Sequence, residues 1–341
     1  MATGSTTRSR PVVALLGSPE APPPVHLAEL EDIADIRHTT ADELGTVLPG
    51  ADALVVWDFF SRALHDNWRA ADSLRWVHVC AAGVDSLLFD ELVASDVVVT
   101  NAHGVFDRPI AEFVLASILA RDKRLHESMA LQSQRVWKWR ETRLTTGTSA
   151  LVIGTGGIGR EIARLLSAVG IQVTGAGRRA RDHDPDFGVV RETAGLSEFV
   201  GDFDTVIAIA PLTAETEYMI GADVLAAMRA DAHFINVGRG ALVDEPALIE
   251  ALQAGRIGAA SLDVVATEPL PADSPLWAMD NVAISAHLSG DVVGWRDVLS
   301  AQLLDNLRRY ADAGPGDLER HLVNVVDKAR GYVVRRDPRP A

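Results

Sequence analysis

Three polar residues follow short apolar runs: Arg239 in Asn236-Val237-Gly238-Arg239-Gly240, Glu268 in Val264-Val265-Ala266-Thr267-Glu268-Pro269, and His287 in Ser285-Ala286-His287-Leu288-Ser289-Gly290. Arginine offers a planar, two-pronged donor that matches a carboxylate. Histidine is the side chain best suited to give or take a proton near neutral pH. A carboxylate beside a histidine fixes its tautomer and favours the imidazolium. Reduction of a 2-oxo acid needs such a set: a cation for the carboxylate, a proton donor for the carbonyl oxygen, and a source of hydride. Each residue taken singly also has a plain structural reading, as a solvated arginine, a Glu-Pro loop element or a packed histidine. Their succession behind consecutive strands favours chemistry.

A hydride source has its own signature upstream. Leu151-Val152-Ile153 runs into Gly154-Thr155-Gly156-Gly157-Ile158-Gly159, followed by an amphipathic stretch over 158–168. This is G-x-G-x-x-G between a strand and a helix. The first glycine allows the tight turn, the second lets backbone approach a pyrophosphate, and the third lets helix pack on strand. The helix N-terminus then offers N–H groups and a positive dipole end to the anion. The next strand ends Val173-Thr174-Gly175-Ala176-Gly177-Arg178-Arg179, with no carboxylate for ribose hydroxyls and two arginines instead. Guanidinium groups bind a 2′-phosphate that a carboxylate would repel. NADP(H) is therefore favoured over NAD(H), a solvated basic turn being the alternative.

Composition excludes other classes. Lys+Arg is 32 and Asp+Glu 47, a net charge of −15 that disfavours nucleic acid or an anionic membrane as partner. None of Lys123, Lys138 and Lys328 precedes Ser or Thr, so there is no Walker phosphate loop. One cysteine, Cys80, excludes an intramolecular disulfide and a multi-cysteine zinc site, and the ten histidines show no metal-binding spacing. No apolar run approaches the roughly 18 residues of a membrane span, and Met1–Arg10 lacks the apolar stretch of a secretory signal. The expectation is a cytoplasmic protein without a metal.

These residues need a scaffold, and the apolar pattern describes one. Near-continuous β-branched runs at Val12–Leu16, Ala53–Trp57, Trp76–Cys80 and Val97–Thr100 form one series. Ala150–Ile153, Gln172–Thr174, Thr205–Ala208, His233–Asn236, Ala259–Leu262 and Val282–Ile284 form a second. Helical stretches fall at Ala111–Met129, Ile158–Ala168, Pro246–Gln253 and Trp295–Tyr310. Alternation of this kind predicts an α/β fold of two doubly wound parallel-sheet domains. At 341 residues the chain has the length of about two domains. The last helix has no strand to follow and returns to the first domain. The expected division is a discontinuous domain over 1–103 and 289–341 around a central dinucleotide-binding domain over 104–288. Met1–Arg10 and Arg335–Ala341 read as loose tails.

At this point the chain resembles the D-isomer-specific 2-hydroxyacid dehydrogenase family. The resemblance rests on Ala81-Ala82-Gly83-Val84-Asp85, Thr100-Asn101, Ile110-Ala111-Glu112-Phe113, Gly154–Gly159, Pro211-Leu212-Thr213, Asn236–Glu245, Asp263–Pro271 and His287 with Ser289-Gly290. It implies that Arg239 binds the substrate carboxylate, aided by backbone at Ala82 and Gly83, and that His287 is the acid/base with Glu268 as partner. The cofactor would be held by Gly154, Gly156, Gly157, Ile158, Gly159, Arg178, Arg179, Pro211, Thr216, Val237, Gly238, Asp263, His287 and Gly290. The resemblance also implies that the outer, discontinuous domain is a flavodoxin-like substrate domain and the central one a Rossmann cofactor domain. A homodimer joined through the cofactor domains is a further implication. The sequence departs from the family at Ala286, where proline is usual, and at Gly177, where the acid is usual.

The activity this implies is transfer of hydride between NADP(H), or NAD(H), and a 2-oxo acid or D-2-hydroxy acid. Two alternatives stand beside it: a glyoxylate/hydroxypyruvate reductase within the class, and a dinucleotide-sensing, corepressor-like binding protein. The aromatic group Trp57, Phe59, Phe60 and Phe106 either lines the substrate pocket, which would suit a bulky 2-oxo acid, or packs in a core.

Overall fold

The computed structural model describes residues 10–19, 21–59, 61–313 and 318–334. The expected tails therefore lie outside the described residues, Arg10 and Val334 being the outermost positions included, and so does Phe60. Two compact units form, one from the chain up to Val105 and from Val293 onward, the other from Phe106 to Val292.

The first unit carries β1 Val12–Leu16, β2 Asp35–Thr39, β3 Ala53–Val56, β4 Trp76–Val79 and β5 Val98–Asn101. All pairs are parallel, in the order β2-β1-β3-β4-β5. β3, β4 and β5 are buried along their whole length, as strands covered on both faces must be. Leu16, Leu44, Leu54, Val77, Val79 and Leu92 sit in their common core. β2 escapes the apolar pattern because it is an edge strand, Asp-Ile-Arg-His-Thr, with only Thr39 buried.

The second unit carries β6 Ser149–Ile153, β7 Gln172–Gly177, β8 Arg181–Asp184, β9 Gly188–Glu192, β10 Thr205–Ala208, β11 His233–Asn236, β12 Ala259–Leu262 and β13 Val282–Ile284. Their order is β13-β12-β11-β10-β6-β7-β9-β8. Only β8 runs antiparallel, against β9. The chain steps outward from β6 to β7 and later returns to β10 on its other side, so the strand order reverses between β6 and β10. Ligands of open α/β sheets bind at such a reversal, beyond the carboxyl ends of the strands. The fold expected from the sequence, parallel α/β with two sheets, is the fold observed.

The helix expected over Ala111–Met129 is two helices, Asp107–Asp122 and Leu125–Ser133. Arg124 between them has φ 52°, a left-handed conformation that ends regular helix. The Gly157–Ala168 helix packs against Asp107–Asp122 and buries Gly159, Ile162, Ala163 and Leu166.

Candidate active site

Gly154 has φ 119°, and a Cβ there would stand 2.6 Å from the backbone of Ile209. At Gly159 a Cβ would reach 2.0 Å from the Gly154 carbonyl oxygen, so the protein itself requires both glycines. Gly156 is different: it is exposed, and a Cβ would meet nothing within 4 Å. Packing within the protein does not require a glycine here, and the open space leaves room for a ligand to approach the backbone. Gly156 is also the N-cap of the Gly157–Ala168 helix and supplies no side-chain cap. The amides of Gly157, Ile158 and Gly159 therefore open the helix as the anion cradle that a dinucleotide pyrophosphate needs.

β7 delivers the adjacent turn. A Cβ on Gly177 would lie 3.1 Å from Thr155 Oγ1 and 3.5 Å from Val190 Cγ1. A side chain there would press on Thr155, and Arg178 and Arg179 follow on the exposed surface. Pro211 and Thr216 lie past β10 in a self-closed turn, where Thr216 Oγ1 donates to the Pro211 carbonyl at 2.7 Å and accepts from Thr213 N–H.

Arg239, Glu268 and His287 follow three adjacent strands, β11, β12 and β13. Asn236 at the end of β11 pins the first turn. Its Oδ1 accepts from Gly238 N–H at 3.1 Å and its Nδ2 donates to the Arg239 carbonyl at 2.9 Å. Val237 and Gly238 are buried in that turn. Gly240 brings it hard against the next loop, because a Cβ would meet the Val265 carbonyl oxygen at 2.0 Å. Glu245 joins the same two segments, accepting from Ala266 N–H at 2.8 Å.

Glu268 Oε2 lies 2.7 Å from His287 Nδ1, and Glu268 Oε1 accepts from Val265 N–H at 3.2 Å. An ionised carboxylate only accepts, so Nδ1 carries the proton and Nε2 is the ring nitrogen left outside this pair. Partial burial would raise the carboxyl's pKa, but the His287 hydrogen bond and charge, the Val265 amide and the Arg239 charge together bring it below the usual range. Glu268 thus stays ionised as a fixed partner.

The backbone at His287 has φ 52°, an uncommon conformation for a residue with a side chain. Asp263 holds it there. Its carbonyl accepts from His287 N–H at 2.8 Å, Oδ1 accepts from Ser285 Oγ at 2.6 Å and Leu288 N–H at 3.0 Å, and Oδ2 accepts from Ser289 N–H at 3.0 Å. From sequence alone Asp263 has only a cofactor role and Ser285 has none. The replacement of the usual proline by Ala286 was the available signal that this turn is held otherwise. Gly290 completes the segment, with a Cβ 2.8 Å from the Phe106 ring.

Ala82 and Gly83 lie in the first unit, in the loop after β4, where Asn101 Nδ2 donates to the Ala82 carbonyl. Trp57 is buried in the same unit and donates its Nε1 proton to the Pro22 carbonyl. Phe59 meets Trp295 edge-on with centroids 6.2 Å apart, and Phe106 is buried in the second unit. Among the described residues no group of His, Cys, Asp and Glu is placed to hold a metal ion, and no helix is long and apolar enough to cross a membrane.

Comparison with known proteins agrees with this arrangement. The family described as D-isomer specific 2-hydroxyacid dehydrogenase, NAD binding domain, matches residues 115–289. The chain is 33% identical over 300 residues to the glyoxylate/hydroxypyruvate reductase B of Salmonella schwarzengrund, covering 84% of this chain and 87% of that one. Among solved structures, a D-isomer specific 2-hydroxyacid dehydrogenase from Xanthobacter autotrophicus in complex with NADPH and MES is 29% identical. The match has a TM-score of 0.76 and covers 94% of this chain and 99% of that one. An NADPH-dependent glyoxylate/hydroxypyruvate reductase from Sinorhizobium meliloti, in complex with NADP and malonate, is 26% identical. It has a TM-score of 0.77 and covers 96% and 100% of the two chains. The chain belongs to the D-isomer-specific 2-hydroxyacid dehydrogenase family.

Proposed function

We propose that this protein reduces small 2-oxo acids, glyoxylate and hydroxypyruvate foremost, to 2-hydroxy acids with NADPH. The observation that carries this reading is the 2.7 Å pairing of His287 Nδ1 with Glu268, beside the Arg239 turn. Arg239 binds and aligns the substrate carboxylate as a two-pronged donor. A reduced nicotinamide held at the glycine loop would supply the hydride for the carbonyl carbon. His287 gives its Nε2 proton to the carbonyl oxygen, and Glu268 stabilises the imidazolium until it does so. In the oxidative direction neutral His287 takes the proton back. Relatives named as glyoxylate/hydroxypyruvate reductases support the small substrate, and the burial of Trp57 removes one argument for a bulky one.

The glycine cradle fits a dinucleotide, and Arg178 with Arg179 selects its 2′-phosphate. Asp263, Val237, Gly238, Pro211, Thr216 and Gly290 complete the cofactor side of the site, with the central unit as cofactor domain. We further propose a cytoplasmic homodimer joined through this unit. Support for the dimer comes from its exposed apolar stretch, in which Trp137, Trp139 and Leu144 stand 101%, 81% and 71% exposed.

The test is loss of reduced-nicotinamide absorbance with NADPH and NADH in parallel, over 2-oxo acids from glyoxylate and hydroxypyruvate to phenylpyruvate. Turnover of the small acids with NADPH is expected. Tight cofactor binding without turnover of any acid would replace the reductase with a dinucleotide-sensing protein.

A further inference from the structure

The stretch after the arginine turn, Arg181-Asp182-His183-Asp184-Pro185-Asp186, is dense in charge, and the fold buries part of it. Asp184, at the end of β8, is 6% exposed. Its carboxylate accepts from Arg160 Nη1 and Nη2, both at 2.9 Å, and from Arg181 Nε at 3.0 Å. The amides of Asp186 and Phe187 add two more bonds, at 3.1 and 3.3 Å. Asp186 accepts from Arg160 at 2.6 Å and from Arg164 at 2.8 Å. The Arg160 guanidinium also lies over the Phe187 ring, 5.6 Å from its centroid.

The placement of these arginines gives the cluster a meaning. Arg160 is in the first turn of the Gly157–Ala168 helix, directly behind the amides of the phosphate cradle. Arg181 opens β8, one residue beyond Ala180 and so at the exit of the Arg178–Arg179 turn. A single buried carboxylate thus ties the phosphate-binding helix end to the turn that carries the two exposed arginines. Buried ion pairs are a poor route to stability, since apolar residues of similar volume serve as well or better. This one also leaves Arg181 Nη2 buried without an acceptor, a further cost. Fixed geometry is what such a cluster supplies instead.

We propose that Asp184 is a positioning residue for cofactor selection: by gripping Arg160 and Arg181 it holds the Arg178–Arg179 turn in register with the helix N-terminus. Selection of a 2′-phosphorylated dinucleotide then depends on a carboxylate that touches neither phosphate. The inference rests on the reading of Arg178 and Arg179 as the 2′-phosphate site.

Charge and geometry predict opposite signs for one substitution. Asp184→Asn removes a negative charge from an arginine cluster, so Coulomb attraction alone would tighten binding of a phosphate dianion. Loss of the grip would weaken it. Binding of adenosine 2′,5′-bisphosphate and of 5′-AMP to the whole protein is measured by calorimetry, with the NADPH/NADH ratio of kcat/KM alongside. Asp184→Asn is expected to lower the preference for the bisphosphate, and the NADPH/NADH ratio, by about tenfold or more, with 5′-AMP binding little changed. An unchanged or increased preference overturns the proposal.

If that variant does not fold, Asp186→Asn removes a second anchor of Arg160 from a less buried position. It is expected to lower the preference by a smaller factor, and no loss again overturns the proposal. Arg178→Ala with Arg179→Ala separates the two ideas. If this double variant keeps wild-type discrimination, the arginine reading has failed and the positioning role falls with it. If it loses discrimination while the aspartate variants keep theirs, only the positioning role is wrong.

Discussion

Gly240→Ala tests whether the Arg239 turn and the Glu268 loop act as one rigid site. A Cβ at 240 would stand 2.0 Å from Val265 O, 2.1 Å from Val265 C and 2.6 Å from Ala266 N, all of them backbone atoms that cannot rotate away. Carbon does not approach such atoms within about 3 Å, so one segment must move by about 1 Å. Arg239 is the neighbour of the substituted residue, and Glu268 lies three residues beyond Val265. The displacement therefore falls between the Arg239 guanidinium, proposed to bind the substrate carboxylate, and the proposed acid/base pair. A misplacement of about 1 Å at a reacting centre costs on the order of 10²-fold in rate, and overpacking costs about 1–3 kcal/mol of stability. The assay is steady-state kinetics with NADPH and glyoxylate, with Tm and active-site titration to count folded protein. KM is expected to rise and kcat to fall, together giving the hundredfold loss in kcat/KM per folded site. Wild-type kcat/KM with an unchanged Tm would show that the two segments are not in contact and refute the reasoning.

Two further predictions concern stability. His78 and His233 are buried, and burial holds their pKa down to about 4 and about 3, with the Arg121 and His126 charges adding to the effect at His233. The unfolded chain takes up these protons first. Stability is therefore constant for these groups above about pH 6.5 and falls as pH drops toward 4, by roughly 3 kcal/mol from each histidine at about 1.4 kcal/mol per pH unit. Tm measured from pH 7 to 4.5 should decline steeply and His233→Gln should flatten the slope; a flat profile in the wild type contradicts neutral burial. Asp244 caps the Glu245–Gln253 helix by accepting from Ala247 N–H at 3.1 Å. Asp244→Ala should cost about 1 kcal/mol, read as a Tm drop of about 2–4 °C, whereas no drop would mean that the cap is idle.

What the sequence disclosed follows from what stabilises each element. Parallel strands covered on both faces are largely apolar, so β6, β10, β11 and β12 are legible nearly to the residue, and β13, a half-buried edge strand, keeps the apolar run Val282-Ala283-Ile284. Elements held by other forces were not. β2 is a polar edge strand, and the β8–β9 hairpin is fastened by Arg160, Asp184 and Asp186, which leave no hydrophobic period. β7 reads short because its last residues include Gly175 and Gly177, poor strand formers; a Cβ on Gly175 would stand 2.9 Å from the Phe187 ring. The break at Arg124 has no proline or glycine to announce it.

The candidate site divides along the same line. Arg239, Glu268, His287 and the glycine loop are chemically distinctive at fixed places after strands, so type and order exposed them. The supporting bonds of Asp263 and Glu245 depend on backbone amides from distant segments, and that of Ser285 on the distant Asp263 carboxylate, and no local pattern records those.

The central claim is that His287, partnered by Glu268, supplies the proton in an NADPH-dependent reduction. The direct measurement is NADPH consumption with glyoxylate by the wild type and by His287→Ala, with NADPH binding determined on the same samples. Turnover is expected in the wild type and a loss of at least about 10²–10⁴-fold in the variant, with the cofactor still bound. Comparable turnover in a His287→Ala protein that binds NADPH would contradict it.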